Sequence, residues 1–172
     1  MRQHYAKTES RNTSLSLINP KRENLLLEKY GSNPKALINW FGPARQIEYC
    51  NGHANIIRCS TEENIPTCEE LVSLYGQKAV ITWIAGQIFD LCEYVGARDK
   101  PNPTAIHQCA LILLNQTLGF KATEILLFFW RCKAGAYGHF YLAADLQQLA
   151  LWWYSHINYI NKNLKSIENE NT

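Results

Sequence analysis

Six consecutive residues, ILLFFW at 125–130, are apolar on every face of the helix they would form. A helix lying on a surface needs only one apolar stripe, whereas one that is apolar all round has to be enclosed by other elements. This run therefore demands a bundle built around it. The chain has the material for one: 172 residues, 47% hydrophobic and 12% aromatic, fit for one domain with its own core and unlike chains that stay unfolded. The expectation is a mainly α, single-domain bundle of about six helices over residues 21–165. A flexible basic arm at 1–20 precedes it and a polar tail at 166–172 follows.

Start and stop signals place the other helices. KRENLLLEKYG (21–31) is amphipathic and stops at a glycine, and NPKALINWFG (33–42) carries a proline in its first turn. Asn51-Gly52 between two short runs is a strong hairpin signal, because a type I′ turn needs positive φ at both central residues. It predicts a small β-hairpin at 47–57. TCEE at 67–70 reads as a capping box. Ile81, Ile84, Ile88, Leu91, Cys92 and Val95 recur at helical spacing up to Gly96. Asn102-Pro103 opens a further helix that runs to Leu118.

The last helix begins near Ala144 and reaches Leu164 or beyond. Leu146, Ala150, Trp153, Ile157, Ile160, Leu164 and Ile167 alternate in steps of four and three, which fits either a coiled-coil seam or one amphipathic helix lying on its own domain. Trp152, Tyr154 and Tyr159 fall off this stripe. Trp152 and Tyr154 flank Trp153, and neighbours on a helix diverge by about 100°, so all three cannot face one core. The pattern predicts Trp153 in the core and Trp152 or Tyr159 as the anchor of an interface, either with a partner protein or with a second copy.

Charge and cysteine content narrow the function classes. The net charge is +2, but residues 1–35 hold seven Lys/Arg against three Glu, leaving the remainder at −2. That is a weak footprint for phosphate binding. No secretory leader is read at the start and no run is long enough to span a bilayer, so the protein reads as cytoplasmic. Six cysteines then read mainly as small core hydrophobes. Cys50, His53, Cys59 and Cys68 supply ligand types that zinc accepts, but the second pair is separated by eight residues and no second knuckle exists, so no metal and no cofactor are expected. No serine occupies a nucleophile turn and no glycine-rich phosphate loop occurs. An enzyme is not expected.

One stretch is written differently. KAGAYGHFY (133–141) follows directly on the apolar run. Arg131, Lys133 and His139 bracket Tyr137, Phe140 and Tyr141, with Lys121 at the other end of the same helix. Either the turn exposes aromatics among cations, as nucleic-acid surfaces do, or the aromatics fold back to cap the bundle while the cations stay solvated.

TCEELVSLYG, VITWIAGQIFDLCEYVGARDK, TEILLFFWRCKAGAYGHFY and the following Asp145 resemble a family of uncharacterised small proteins from bacterial mobile elements and prophages. Its pattern is a leucine-rich helix leading into F-K-A-G-x-Y-G-x-F-Y-G and then Asp-Pro. The resemblance covers about residues 66–145. The chain departs from it at Leu142, where glycine is expected, and at Leu146, where proline is expected. The resemblance implies a genomic setting without a mechanism, and the basic-aromatic turn is loosely similar to phage helicase-loader domains. The function expected is a non-enzymatic accessory role in replication or regulation, exercised through protein–protein contacts. The alternative is direct nucleic-acid binding by the basic arm and the Arg131–Tyr141 turn.

Overall fold

Capping chemistry sets most of the helix boundaries. The computed structural model describes residues 18–51, 55–140 and 144–170. Helix α1 (Pro20–Tyr30) starts behind Asn19, whose side chain accepts from the Lys21 N–H at 3.0 Å. Short helices follow: α2 (Ala36–Phe41), a 3-10 turn at Pro43–Arg45, α3 (Gln46–Cys50) and α4 (Asn55–Thr61). Helix α5 (Cys68–Tyr75) opens on the expected capping box. Thr67 Oγ1 accepts from the Glu70 N–H, and the Glu70 carboxylate accepts from the Thr67 N–H. Helix α6 (Gln77–Tyr94) is followed by α7 (Pro103–Thr117), capped by Asn102, whose Oδ1 accepts from the Ala105 N–H at 2.8 Å. The last two are α8 (Ala122–Lys133) and α9 (Leu146–Glu170).

Helix α8 is the enclosed element that the apolar run demands. Every residue from Ala122 to Phe129 is buried, together with Cys132. Helices α2, α3, α4 and α6 pack on it, and Trp153 of α9 sets its ring edge-on against Phe128. A buried helix start brings main-chain N–H groups into the core, and each needs an acceptor. The Ala122 N–H donates to the Pro66 carbonyl at 2.9 Å, the Lys121 N–H to the Glu124 carboxylate at 2.7 Å, and the Thr123 hydroxyl to the Cys59 carbonyl at 2.6 Å. The first N–H groups of α5 are served in the same way, Cys68 by the Phe120 carbonyl and Glu69 by that of Leu118. The starts of α5 and α8 are thus stitched to one another. Arg22 of α1 closes onto this seam through Glu70 at 2.9 Å.

The fold is mainly α, as expected, with more and shorter helices than the sequence suggested. The hairpin is a correction. Residues 46–50 and 55–61 are helical, and Asn51 is extended, with φ −79 and ψ 131, not left-handed. Its N–H closes α3 on the Ile47 carbonyl. The burial pattern is helical too: Gln46 and Cys50 are buried four apart and Ile56 and Cys59 three apart, while Ile47 points outward. Gly52 and His53 lie outside the described residues. Helix α9 also continues to Glu170, through most of the segment read as a polar tail. The expected basic arm lies almost wholly outside the described residues.

The end of α2 shows how tightly the short helices are set. The Phe41 carbonyl accepts from Trp83 Nε1 at 2.6 Å and from Gln87 Nε2 at 2.8 Å, and Gln46 Nε2 donates to Gln87 Oε1 at 2.6 Å. All these side chains are buried. The chain then turns at Gly42, where a Cβ would stand 2.4 Å from the Ile38 carbonyl oxygen. Gly42→Ala is therefore expected to cost about 1–3 kcal/mol, as overpacking does. Gly86, exposed in the middle of α6 with open space around it, predicts the opposite sign. Gly86→Ala should add about 0.5–1 kcal/mol by removing backbone freedom from the unfolded chain. Urea denaturation of the two variants checks both signs.

Candidate functional site

The segment that sequence reasoning singled out begins where α8 stops. Ala134 is the C-cap, and Gly135 follows with φ +72. The Gly135 N–H donates to the Cys132 carbonyl and the Ala136 N–H reaches back to Arg131, both at 3.0 Å. This pair of bonds is a Schellman closure, which needs a left-handed residue. A Cβ on Gly135 would also meet the His139 imidazole at 2.7 Å. Gly138, φ +131, lets the chain pass over the Trp152 indole. Two glycines therefore turn the chain back onto α9.

The returning turn carries Tyr137 into a directed chain of hydrogen bonds. His156 Nε2 lies 3.1 Å from the Glu124 carbonyl oxygen, and its Nδ1 lies 2.7 Å from the Tyr137 hydroxyl. A carbonyl can only accept, so Nε2 carries the proton and Nδ1 is the acceptor. Tyr137 O–H then donates to His156, and the Tyr137 oxygen accepts from Arg131 Nε–H at 2.8 Å. The guanidinium of Arg131 also lies over the Tyr159 ring, 3.6 Å from its centroid, and 5.4 Å from that of Tyr137. Contacts this close carry real cation–π attraction. Arg131, Tyr137, His156 and Tyr159 thus lock α8, the turn and α9 together.

Burial governs the protonation of this cluster. His156 is fully buried, and desolvation is the chief cause holding its pKa down to about 3. The Arg131 guanidinium pushes the same way and the bond to the Glu124 carbonyl opposes both. Burial likewise raises the Tyr137 phenol well above its ordinary range, against the lowering effect of Arg131. A neutral imidazole bonded at both nitrogens and a phenol that stays protonated form a structural relay, with no free acid or base.

The remaining expected residues fall elsewhere. Lys133 pairs with Asp90 of α6 at 2.5 Å and lies over the Tyr94 ring. His139 is exposed and covers Gly135. Tyr141 lies outside the described residues. Trp152 corrects the expectation of an exposed anchor: it is only 5% exposed, with its ring tilted against Phe140 at 4.6 Å between centroids and against Tyr137 at 6.5 Å. Trp153 is fully buried against Phe120 and Phe128, as expected. Both indoles are enclosed because the core covers one and the returning turn covers the other. Tyr159 is half-buried beneath Arg131.

His156 and the Glu124 carbonyl were not singled out from the sequence, although Leu149, Trp153, His156 and Ile160 share a buried row at helical spacing.

A cleft of about 230 Å³ lies beside the turn, lined by Tyr94, Val95, Lys133, His139, Phe140 and Trp152. Ligand pockets usually run to about 300–1,000 Å³, and the one strong cation here is already paired. All six cysteines are buried thiols. Cys50 lies in hydrogen-bond contact with Cys59, which together with burial pushes its pKa up, while Cys68 is buried beside Thr117. Among the described residues no three His, Cys, Asp or Glu side chains converge as metal ligands would. None of the described helices is long and apolar enough to cross a membrane.

No family model, curated protein or solved structure matches the chain.

Tyr137→Phe removes the donor to a buried imidazole nitrogen and is expected to cost about 1–3 kcal/mol in chemical denaturation. The imidazole also makes folding pH-dependent. An unfolded histidine titrates near pH 6.5, so between about pH 6.5 and about 3 the unfolded chain holds a proton that the folded chain excludes. Stability present above this window is lost as pH falls, by up to about 1.4 kcal/mol per pH unit. The stability advantage of wild type over His156→Gln should therefore shrink between about pH 7 and about pH 5. A constant difference across that range would show that His156 is not excluded from protonation.

Proposed function

We propose that this protein is a non-enzymatic accessory factor that acts through contacts with proteins. The observation that carries the reading is the outward side of α7 and α9, two helices packed on each other that turn large apolar side chains to solvent. Ile112 is 51% exposed, Leu151 59% and Tyr154 52%. Scattered exposed apolar residues are ordinary, but several on two neighbouring helices mark a contact surface. The basic-aromatic turn supports the same reading by what it lacks. Arg131 is held between two tyrosines and Lys133 is paired with Asp90, so neither cation is presented to a phosphate. Direct nucleic-acid binding would have to rest on the basic arm. The resemblance in KAGAYGHFY supports a setting in a bacterial mobile element, with a replication or regulatory partner.

Two measurements test this. A photo-crosslinking residue placed at Gln108 of α7 or Asn158 of α9, both exposed, should capture protein in the native host, and one at Lys78 of α6 should not. Equal capture from all three positions, or none, overturns the reading. With labelled duplex DNA, Arg131→Ala and Lys133→Ala should leave both affinity and its salt dependence unchanged. A salt slope that falls by about one phosphate contact on losing Lys133 would instead favour nucleic acid.

A further inference from the structure

Cys50 and Cys59 are left without a role once the zinc reading of their stretch is set aside, and the structure sets them against each other. Cys68 faces Thr117 and Cys109 faces the Leu146 carbonyl, whereas the Cys50 thiol lies in hydrogen-bond contact with that of Cys59. Cys50 ends α3, Cys59 lies on α4, and both are fully buried. The Cys59 sulfur also stands 3.5 Å from the carbonyl oxygen of Tyr49, the residue before Cys50. A carbonyl can only accept, so the Cys59 S–H points to Tyr49 and its sulfur is open to the S–H of Cys50.

The main chain around both sulfurs is held in place. The Thr123 hydroxyl donates to the Cys59 carbonyl at 2.6 Å, and Arg58 Nη1 donates to the Glu48 carbonyl at 3.3 Å. Helices α3 and α4 pack on one another, and both pack on α8. A disulfide needs two neighbouring backbones whose side chains face each other. Two thiols already in contact, carried by helices that pack together, meet that demand.

We propose that Cys50 and Cys59 form a reversible dithiol–disulfide pair, oxidised by low-molecular-weight disulfides, that clamps α3 to α4 on the surface of α8. One protein thiol loses its proton to solvent, attacks a sulfur of the small disulfide and expels a thiolate. The second protein thiol, likewise deprotonated, attacks the protein sulfur of the mixed disulfide and expels the other half. The protein gives up two electrons and two protons, and the small disulfide becomes two thiols. Oxidation replaces the thiol–thiol contact and loses the weak S–H bond from Cys59 to Tyr49.

Burial sets the pace of this exchange. The contact with Cys59, together with burial, holds the Cys50 thiol well above the ordinary thiol range, where the reactive thiolate is scarce. Neither sulfur offers surface to a reagent. Exchange therefore waits for α3 or α4 to lift from α8, and the disulfide forms as they settle back. The equilibrium runs both ways: to the extent that the fold brings the sulfurs together, the disulfide resists the opening of the fold.

Refolding the full chain from urea in mixtures of reduced and oxidised glutathione lets the thiols equilibrate before they are buried. Acid quenching, alkylation and peptide mass spectrometry then read which sulfurs are linked. The equilibrium constant for the Cys50–Cys59 link against glutathione should be at least about tenfold larger in the refolded protein than in the same mixture with urea. The oxidised chain should keep four of its six thiols, and its melting temperature should rise and fall back on reduction. Cys50→Ala and Cys59→Ala, each compared with its own reduced form, should show no such rise. An equal or smaller constant in the folded protein overturns the proposal. So does a link between other cysteines, glutathione adducts in place of the link, or a melting temperature lowered by oxidation.

Discussion

A helix with apolar side chains around its whole circumference has no side to give to water, and that constraint organises this molecule. Ala122–Lys133 can persist as a helix only where something covers each face. Helices from the first half of the chain take most of them, and α9 takes the face of Phe128. Enclosure brings a second demand, because the helix start carries main-chain donors into a place without water. The Glu124 carboxylate and the Pro66 carbonyl answer it, and the Cys59 carbonyl takes the Thr123 hydroxyl beside them. The polar contacts at the start of α8 are thus consequences of burying this one helix.

At the other end of α8 the polar problem is solved by aromatic side chains. Arg131 is a cation at the exit of an apolar helix, and leaving it in a low-dielectric setting without partners would be costly. The turn returns Tyr137 to it as a hydrogen-bond acceptor, and α9 offers the Tyr159 ring as a face to lie on. A composition that resembles a phosphate-binding surface in sequence is, in three dimensions, an internal joint. Cation–aromatic proximity along a chain does not reveal whether the cation faces outward or is embraced.

The helices were legible where their signals are local. The Thr67–Glu70 box, the Asn102 cap and the central apolar run all translate directly into structure, since each depends on residues within one or two turns. Asn51-Gly52 misled because the turn signal was weighed without its flanks, where Gln46 and Cys50, and Ile56 and Cys59, bury with helical spacing. Trp152 misled for another reason. Angular arithmetic on α9 assumes a single covering surface, but the turn at 135–140 supplies a second one: its aromatics fold back, one of the two readings open for that turn, and the surface they cover is that of Trp152. His156 was hardest to read. Its partners lie 19 and 32 residues away, and a histidine in an apolar row carries no local mark of which groups will meet it.

Chain order gives the burial of α8 a temporal side. The helices that pack most of its surface, α2, α3, α4 and α6, all precede it, so the ribosome delivers a receiving cradle before the greasy segment arrives. Only the Phe128 side waits for a later element. At translation rates of about 5–20 residues per second, the stretch from Lys133 to Ile160 takes about one to six seconds to complete. Throughout that interval the nascent protein presents a bare aromatic stripe. It is the stage at which the chain is most open to misassembly or to a chaperone, and it ends when Trp153 and His156 dock.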